Sequence, residues 1–129
     1  MHKELIISII IILIVVATNA ITQNYTKESV KIMDENLDKL EQALKKEEKV
    51  EDELQENLDN VMENWRKRYE VLAFFIEHDE LEKVETELTS LKAEIEVEEY
   101  EQAVTSLERG IFILNHIKEK FKLDMKNIF

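Results

Sequence analysis

His78 and His116 are the two histidines whose placement suggests chemistry. Glu77, Asp79, Glu82, Glu85 and Glu119 lie beside them in sequence or within a helical turn. Two imidazoles with carboxylates can ligate zinc, iron or manganese inside helical bundles. Histidine also titrates near neutral pH. One reading is therefore a metal- or pH-responsive module using His78, His116 and Glu85. Against it, the Glu-x-x-His spacing of carboxylate-bridged bundles is missing, because Glu77 directly precedes His78. The plainer reading makes both histidines boundary residues at helix ends, with no cofactor expected. No nucleophile–base pair is recognisable either. Ser8 lies in an apolar run, Ser29, Ser90 and Ser106 have no histidine nearby in sequence, and the chain has no cysteine. Enzymatic activity is not expected.

A second cluster is basic: Arg66, Lys67 and Arg68 stand between Trp65 and Tyr69. Cations interleaved with aromatics suggest nucleic-acid or headgroup binding. Trp65 and Tyr69, however, are four residues apart and share the apolar face of a helix, which makes them core. The three cations then form a solvated face open to an acidic partner. Phe121 and Phe129 belong to an unusually apolar C-terminal stretch, with Leu123, Met125 and Ile128. They either pack across the base of the domain or touch lipid or a partner's membrane segment. Arg109 is expected to pair with a facing carboxylate such as Glu85, and Gly110 to allow close helix contact.

These residues must be positioned by helices. The 129 residues include one glycine and no proline, so tight turns, bulges and phosphate-binding glycine loops have little material. Charged residues make up 36% and hydrophobic ones 44%, a mixture suited to long amphipathic helices. The net charge is −12. Lys3 and Glu4 cancel within the first 21 residues, so the whole deficit lies in residues 22–129. Nucleic acid is not an expected partner, and anionic headgroups should repel such a domain.

Leu5–Ala17 reads LIISIIIILIVVA. Residues 5–21 would span about 25 Å as a helix, at the short edge of what crosses a bilayer. The same run fits the core of a signal peptide, with Thr18-Asn19-Ala20 a mediocre cleavage site. An uncleaved anchor over residues 1–21 and an acidic helical bundle over 22–129 are expected. The tail before the apolar run is short, which favours the N-terminus inside and the bundle outside the cell membrane.

Val30, Met33, Leu37, Leu40 and Leu44 alternate three- and four-residue spacings, the signature of one apolar helical stripe. After Lys45–Lys49 (KKEEK) a second stripe runs from Val50 through Leu54, Leu58, Val61, Trp65 and Leu72 to Ile76. Asp79, with Glu82 three residues on, reads as an N-cap and capping box for a third helix. Its stripe runs from Leu81 to Ile95 and loses phase near Val97. A fourth helix begins at Tyr100, and the run Gly110–Leu114 suggests that it is the most buried. Leu37, Leu40 and Leu44 match Leu88, Leu91 and Ile95 at an offset of 51. The expected fold is all-α: an N-terminal transmembrane helix, then a small four-helix bundle made of two αα-hairpins, tetratricopeptide-like in shape. The alternative is one helix through residues 30–76, which would make a self-associating coiled-coil homodimer.

With these motifs in hand, the chain resembles a family of small, uncharacterised single-span membrane proteins of clostridia-like Gram-positive bacteria. The resemblance rests on the Ile-rich anchor, Met62-Glu-Asn-Trp65, His78-Asp-Glu-Leu81, Leu107-Glu-Arg109, His116-Ile117 and the ending Leu123–Phe129. It carries over no activity and no site residue. It implies a multi-span membrane protein as partner, because family members are often encoded beside one. The chain departs from the family in the first link, where KKEEK replaces a small turn residue. The expected function is a membrane-anchored helical interaction module docking on a membrane or envelope partner.

Overall fold

The structure is a computed structural model describing the backbone of residues 2–128 and the side chains of residues 2–126. It contains four helices in chain order: α1 His2–Lys45, α2 Glu51–Leu72, α3 His78–Glu96 and α4 Tyr100–Ile128. No strand occurs among the described residues. The absence of proline and near-absence of glycine leave nothing to interrupt α1. It runs about 66 Å at 1.5 Å per residue. The apolar segment and the first bundle helix are therefore one rod, with no break at residue 21.

α1 and α2 form one hairpin, α3 and α4 the other. The hairpins meet chiefly where α4 lies against α1, while α2 and α3 touch only lightly. The expected stripes supply one continuous core. Met33, Leu37 and Leu40 of α1 face Leu58 and Val61 of α2, Val84, Leu88 and Leu91 of α3, and Ala103 and Leu107 of α4, all with 1% exposure or less. Burying each Leu or Val of this set contributes about 1.5–3 kcal/mol. The bundle therefore stands on its apolar seam, and surface ion pairs add little.

The KKEEK link ends α1. Its residues have no apolar side chain to bury, and the chain turns at Val50 in an extended conformation. Lys46 Nζ reaches Glu53 across the turn at 2.8 Å, and Lys49 Nζ donates to the Lys46 carbonyl at 3.0 Å. Glu51, Asp52 and Glu53 complement the dipole at the start of α2. This break corrects the single-helix alternative: the stripes before and after it face each other within one chain, so a coiled coil through residues 30–76 has no seam.

Two further expectations change. Asp79 is not the N-cap of α3. That position belongs to Glu77, which makes no side-chain cap bond; its carbonyl accepts from the N–H groups of Glu80 and Leu81 at 3.1 and 3.3 Å. Asp79 instead sits in the first turn, where its charge opposes the helix dipole's positive end. The α3–α4 link closes as a Schellman turn: Glu98 N–H bonds the Ile95 carbonyl at 3.1 Å and Glu99 N–H the Glu94 carbonyl at 2.8 Å. Glycine usually fills the left-handed position of that turn. Here Glu98 does, at φ 61°.

α4 is central, lying against both α1 and α3. Its apolar run is not wholly enclosed, however: Phe112 faces solvent and Ile111 and Ile113 are half-buried.

Candidate functional site

Because the helices alternate in direction, the α2–α3 turn, the end of α4 and residues 19–30 of α1 gather at the end from which the apolar segment leaves. This is the proximal end; the KKEEK link and the α3–α4 link make the distal end. An aromatic floor closes the core here. Phe75 lies 5.5 Å from Phe121 and 6.3 Å from Tyr25, ring centre to ring centre, and the Arg68 guanidinium stands 5.1 Å over Tyr25. Gln23 Nε2 donates to the Phe121 carbonyl at 3.1 Å, tying α4 to α1.

A cleft of about 130 Å³ opens beside this floor, walled by Phe75, Ile76, Ile117, Phe121 and Met125. Glu77, Glu80, Lys120 and Asp124 supply its charges. Glu80 is only 8% exposed. Its Oε1 lies 3.3 Å from Lys120 Nζ and 3.6 Å from Lys83 Nζ, and Lys120 also reaches Glu77 at 3.6 Å. Burial alone pushes the Glu80 carboxyl up. The hydrogen bond from Lys120, with the charges of Lys120, Lys83 and His116, outweighs burial and holds it below the ordinary range. The same hydrogen bond from the other side, with the charges of Glu77 and Glu80, raises Lys120. Glu80 Oε2 has no partner among the described residues. The cluster clamps the α2–α3 turn onto α4.

A second, half-buried polar contact joins α1 to α4. Asn115 Nδ2 donates to Asp34 Oδ2 at 3.0 Å and to the Ile111 carbonyl at 2.9 Å. Burial raises the Asp34 carboxyl, against the opposing pull of Asn115 and Lys118.

The proposed histidine site does not assemble as expected. His78 is at the proximal end, but its side chain is 73% exposed, with Nδ1 3.5 Å from Tyr69 Oη and Nε2 3.9 Å from Glu82. His116 faces solvent on α4, near Glu80. Glu85 joins neither: it accepts from Trp65 Nε1 at 3.4 Å. Among the described residues no group of three His, Asp or Glu side chains could hold a metal ion.

The remaining candidates separate cleanly. Trp65 is buried, as its spacing implied, and packs on Tyr69 at 5.9 Å. Arg66 and Lys67 are exposed, with Lys67 3.3 Å from Glu63. Phe121 is core and not a free partner surface, because the aromatic floor encloses it. Phe129 lies outside the described residues. Arg109 does pair with α3, but through Glu87 at 3.0 Å and not Glu85. Gly110 is buried, yet a Cβ there would meet Glu87 Cβ at 3.9 Å, an ordinary contact. Close approach does not require the glycine.

The Glu80–Lys120 and Asp34–Asn115 contacts escaped the sequence reading. Their partners stand 40 and 81 residues apart, and no local spacing marks such pairs. The fold and this end together define an all-α, two-hairpin bundle continuous with an exposed apolar helix. The chain belongs to the DUF4363 family, a domain of unknown function, which matches residues 20–128. No curated protein and no solved structure matches it.

Proposed function

We propose that the protein is a membrane-anchored helical interaction module with no catalytic role. Its anchor is the apolar part of α1, and its bundle docks on a membrane-embedded or envelope partner. The observation that carries this reading is the exposure of the apolar segment. Every large hydrophobic side chain from Leu5 to Val16 is 43–62% exposed, and none is buried by the bundle. A folded domain that leaves about a dozen Ile, Leu and Val residues uncovered needs lipid or protein around them.

The exposed cations Arg66 and Lys67 on α2 are the partner-facing candidates, since α2 lies on one edge of the bundle and only lightly touches α3. A photo-crosslinking residue at position 67, in native membranes, should give an adduct with a multi-span membrane protein. Release of the full chain by alkaline carbonate would overturn the anchor. Anchored protein with no adduct from position 66 or 67 would overturn docking through this face.

A further inference from the structure

The proximal end holds a second recess, between α1 and α4, on the side of α4 away from Glu80. It has a volume of about 470 Å³ and is lined by Gln23, Asn24, Lys27, Lys118, Glu119 and Lys122 among others. We propose that this groove seats the phosphate of an anionic phospholipid headgroup, which holds the bundle upright on the bilayer. The inference rests on the anchor reading and adds a lipid site to it.

Three observations carry it. The first is charge. Three lysines and one glutamate line the groove, in a domain whose net charge is −12. Among the described residues no carboxylate lies within 4 Å of the Lys27, Lys118 or Lys122 ammonium groups. Lys120, on the other face of α4, is held by Glu77 and Glu80. Lys118 acts on the Asp34 carboxyl, pulling it down, from beyond ion-pair distance. The last turn of α4 holds Lys126, not Lys118 or Lys122, and Lys27 sits in the middle of α1, so no helix dipole explains the three groove lysines.

The second is level. The groove residues of α1 run from Ala20 to Lys27, starting where the apolar run ends at Ile21. Seven steps of helix cover about 10 Å, and the headgroup layer on each side of a bilayer is about 5–8 Å deep. The groove therefore lies at headgroup depth when residues 5–21 fill the hydrocarbon.

The third is continuity with the apolar segment. The last described turns of α4 run back beside it, with Met125 and Lys126 lining a crevice with Val16 and Asn19. Lys126 is placed to carry its ammonium out to the interface. Exposed Leu123 and, on the α2–α3 turn, Phe74 (88% exposed) give the same end apolar tips. An anion seated in the groove would meet Lys27 from α1 and Lys118 and Lys122 from α4, with the amides of Gln23 and Asn24 at its edge.

The test uses the full chain in mixed nanodiscs of phosphatidylglycerol and phosphatidylcholine, with retained lipids counted by native mass spectrometry. The wild type should retain phosphatidylglycerol with about fivefold enrichment or more, the factor that one lysine near a charged surface supplies. Joint substitution Lys27→Glu, Lys118→Glu and Lys122→Glu should bring the ratio to about one, and the corresponding arginine triple should keep it. Circular dichroism and Trp65 fluorescence check that each variant is folded. A folded glutamate triple that keeps the enrichment overturns the seat. A wild type that stays in the bilayer under alkaline carbonate but shows no enrichment also overturns it, and leaves the anchor standing. Release by carbonate overturns both.

Discussion

At the proximal end, counting residues 22–33, 63–86 and 113–126, ten basic side chains meet ten acidic ones. At the distal end, residues 34–62 and 87–112, six basic side chains face eighteen acidic ones. The whole net charge of −12 is therefore distal, although both ends are sealed by the same apolar core. The distal pairs, Lys45–Glu41, Lys46–Glu53 and Arg109–Glu87, lie on the surface. Such exposed pairs contribute about 0–1 kcal/mol each, so excess carboxylates there remain uncompensated. The proximal end has such a surface pair in Lys67–Glu63, but it also gathers charges around the buried Glu80 carboxylate and in a lysine-lined groove. A total charge read over the whole domain implied repulsion from anionic headgroups. The distribution reverses that expectation at one end: the acidic end points away from the apolar segment, and the neutral end stands against it.

The sharpest way to break this comparison is through the core, which should not distinguish the ends. Leu40→Ala at the distal side and Ile117→Ala at the proximal side should each cost about 2–5 kcal/mol. Urea unfolding of the full chain in mild detergent, followed by the single buried Trp65, reads both. A proximal loss far below the distal one would mean that the proximal end is not part of one cooperative unit. Next in size is Gly110→Ala. Its added methyl finds ordinary contact at Glu87 and removes a flexible residue from the interior of α4, so a gain of about 1 kcal/mol is expected. A loss in the same assay would restore the close-contact role of the glycine.

Glu98→Gly should follow, with a gain of about 0.5–1 kcal/mol. It relieves a left-handed glutamate at the Schellman turn, partly offset by the freedom glycine adds to the unfolded chain. An unchanged urea midpoint would show that the turn carries no strain.

The smallest effects are those of pH, and they have opposite signs. Glu80 has a folded pKa below its ordinary value of 4.5, so its contribution is present above that value and is lost as pH falls through the folded pKa. Asp34 has a folded pKa above 3.8, so its ionisation opposes folding above the folded pKa, and the penalty is relieved as pH falls. Asp34→Asn should therefore raise the urea midpoint at pH 7 and leave it unchanged near pH 3, while Glu80→Gln should lower it at pH 7. If both variants shift stability the same way at pH 7, the assignment of these two environments is wrong.

Much of the architecture was legible in the residues. The three-four spacings of Val30–Leu44, Leu54–Trp65, Leu81–Ile95 and Ala103–Ile117 identify the buried faces, because a helix brings every third or fourth residue to one side. The phase loss near Val97 marked a real end. The α1–α2 boundary was harder: KKEEK breaks no rule of helix formation, and only the gain from folding α2 back onto α1 decides that the chain turns there. Asp79 was misplaced because a good capping residue competes with neighbours, and the turn after Leu72 sets where α3 begins.

The histidines show the limit most plainly. Sequence brought His78 and His116 to the same end, since helix direction and length determine level along the axis. It could not determine their angle around the axis, which depends on how α3 and α4 pack. That rotation leaves both imidazoles in solvent, directs Glu85 to Trp65 and Arg109 to Glu87, and encloses Glu80 between lysines. Composition and periodicity alone determined that the chain is helical, that one segment is long and apolar enough to cross a membrane, and that the net charge is strongly negative. Only the tertiary structure decided which end carries that charge and which lysines stand together, because antiparallel packing sums charges from four segments distant in sequence.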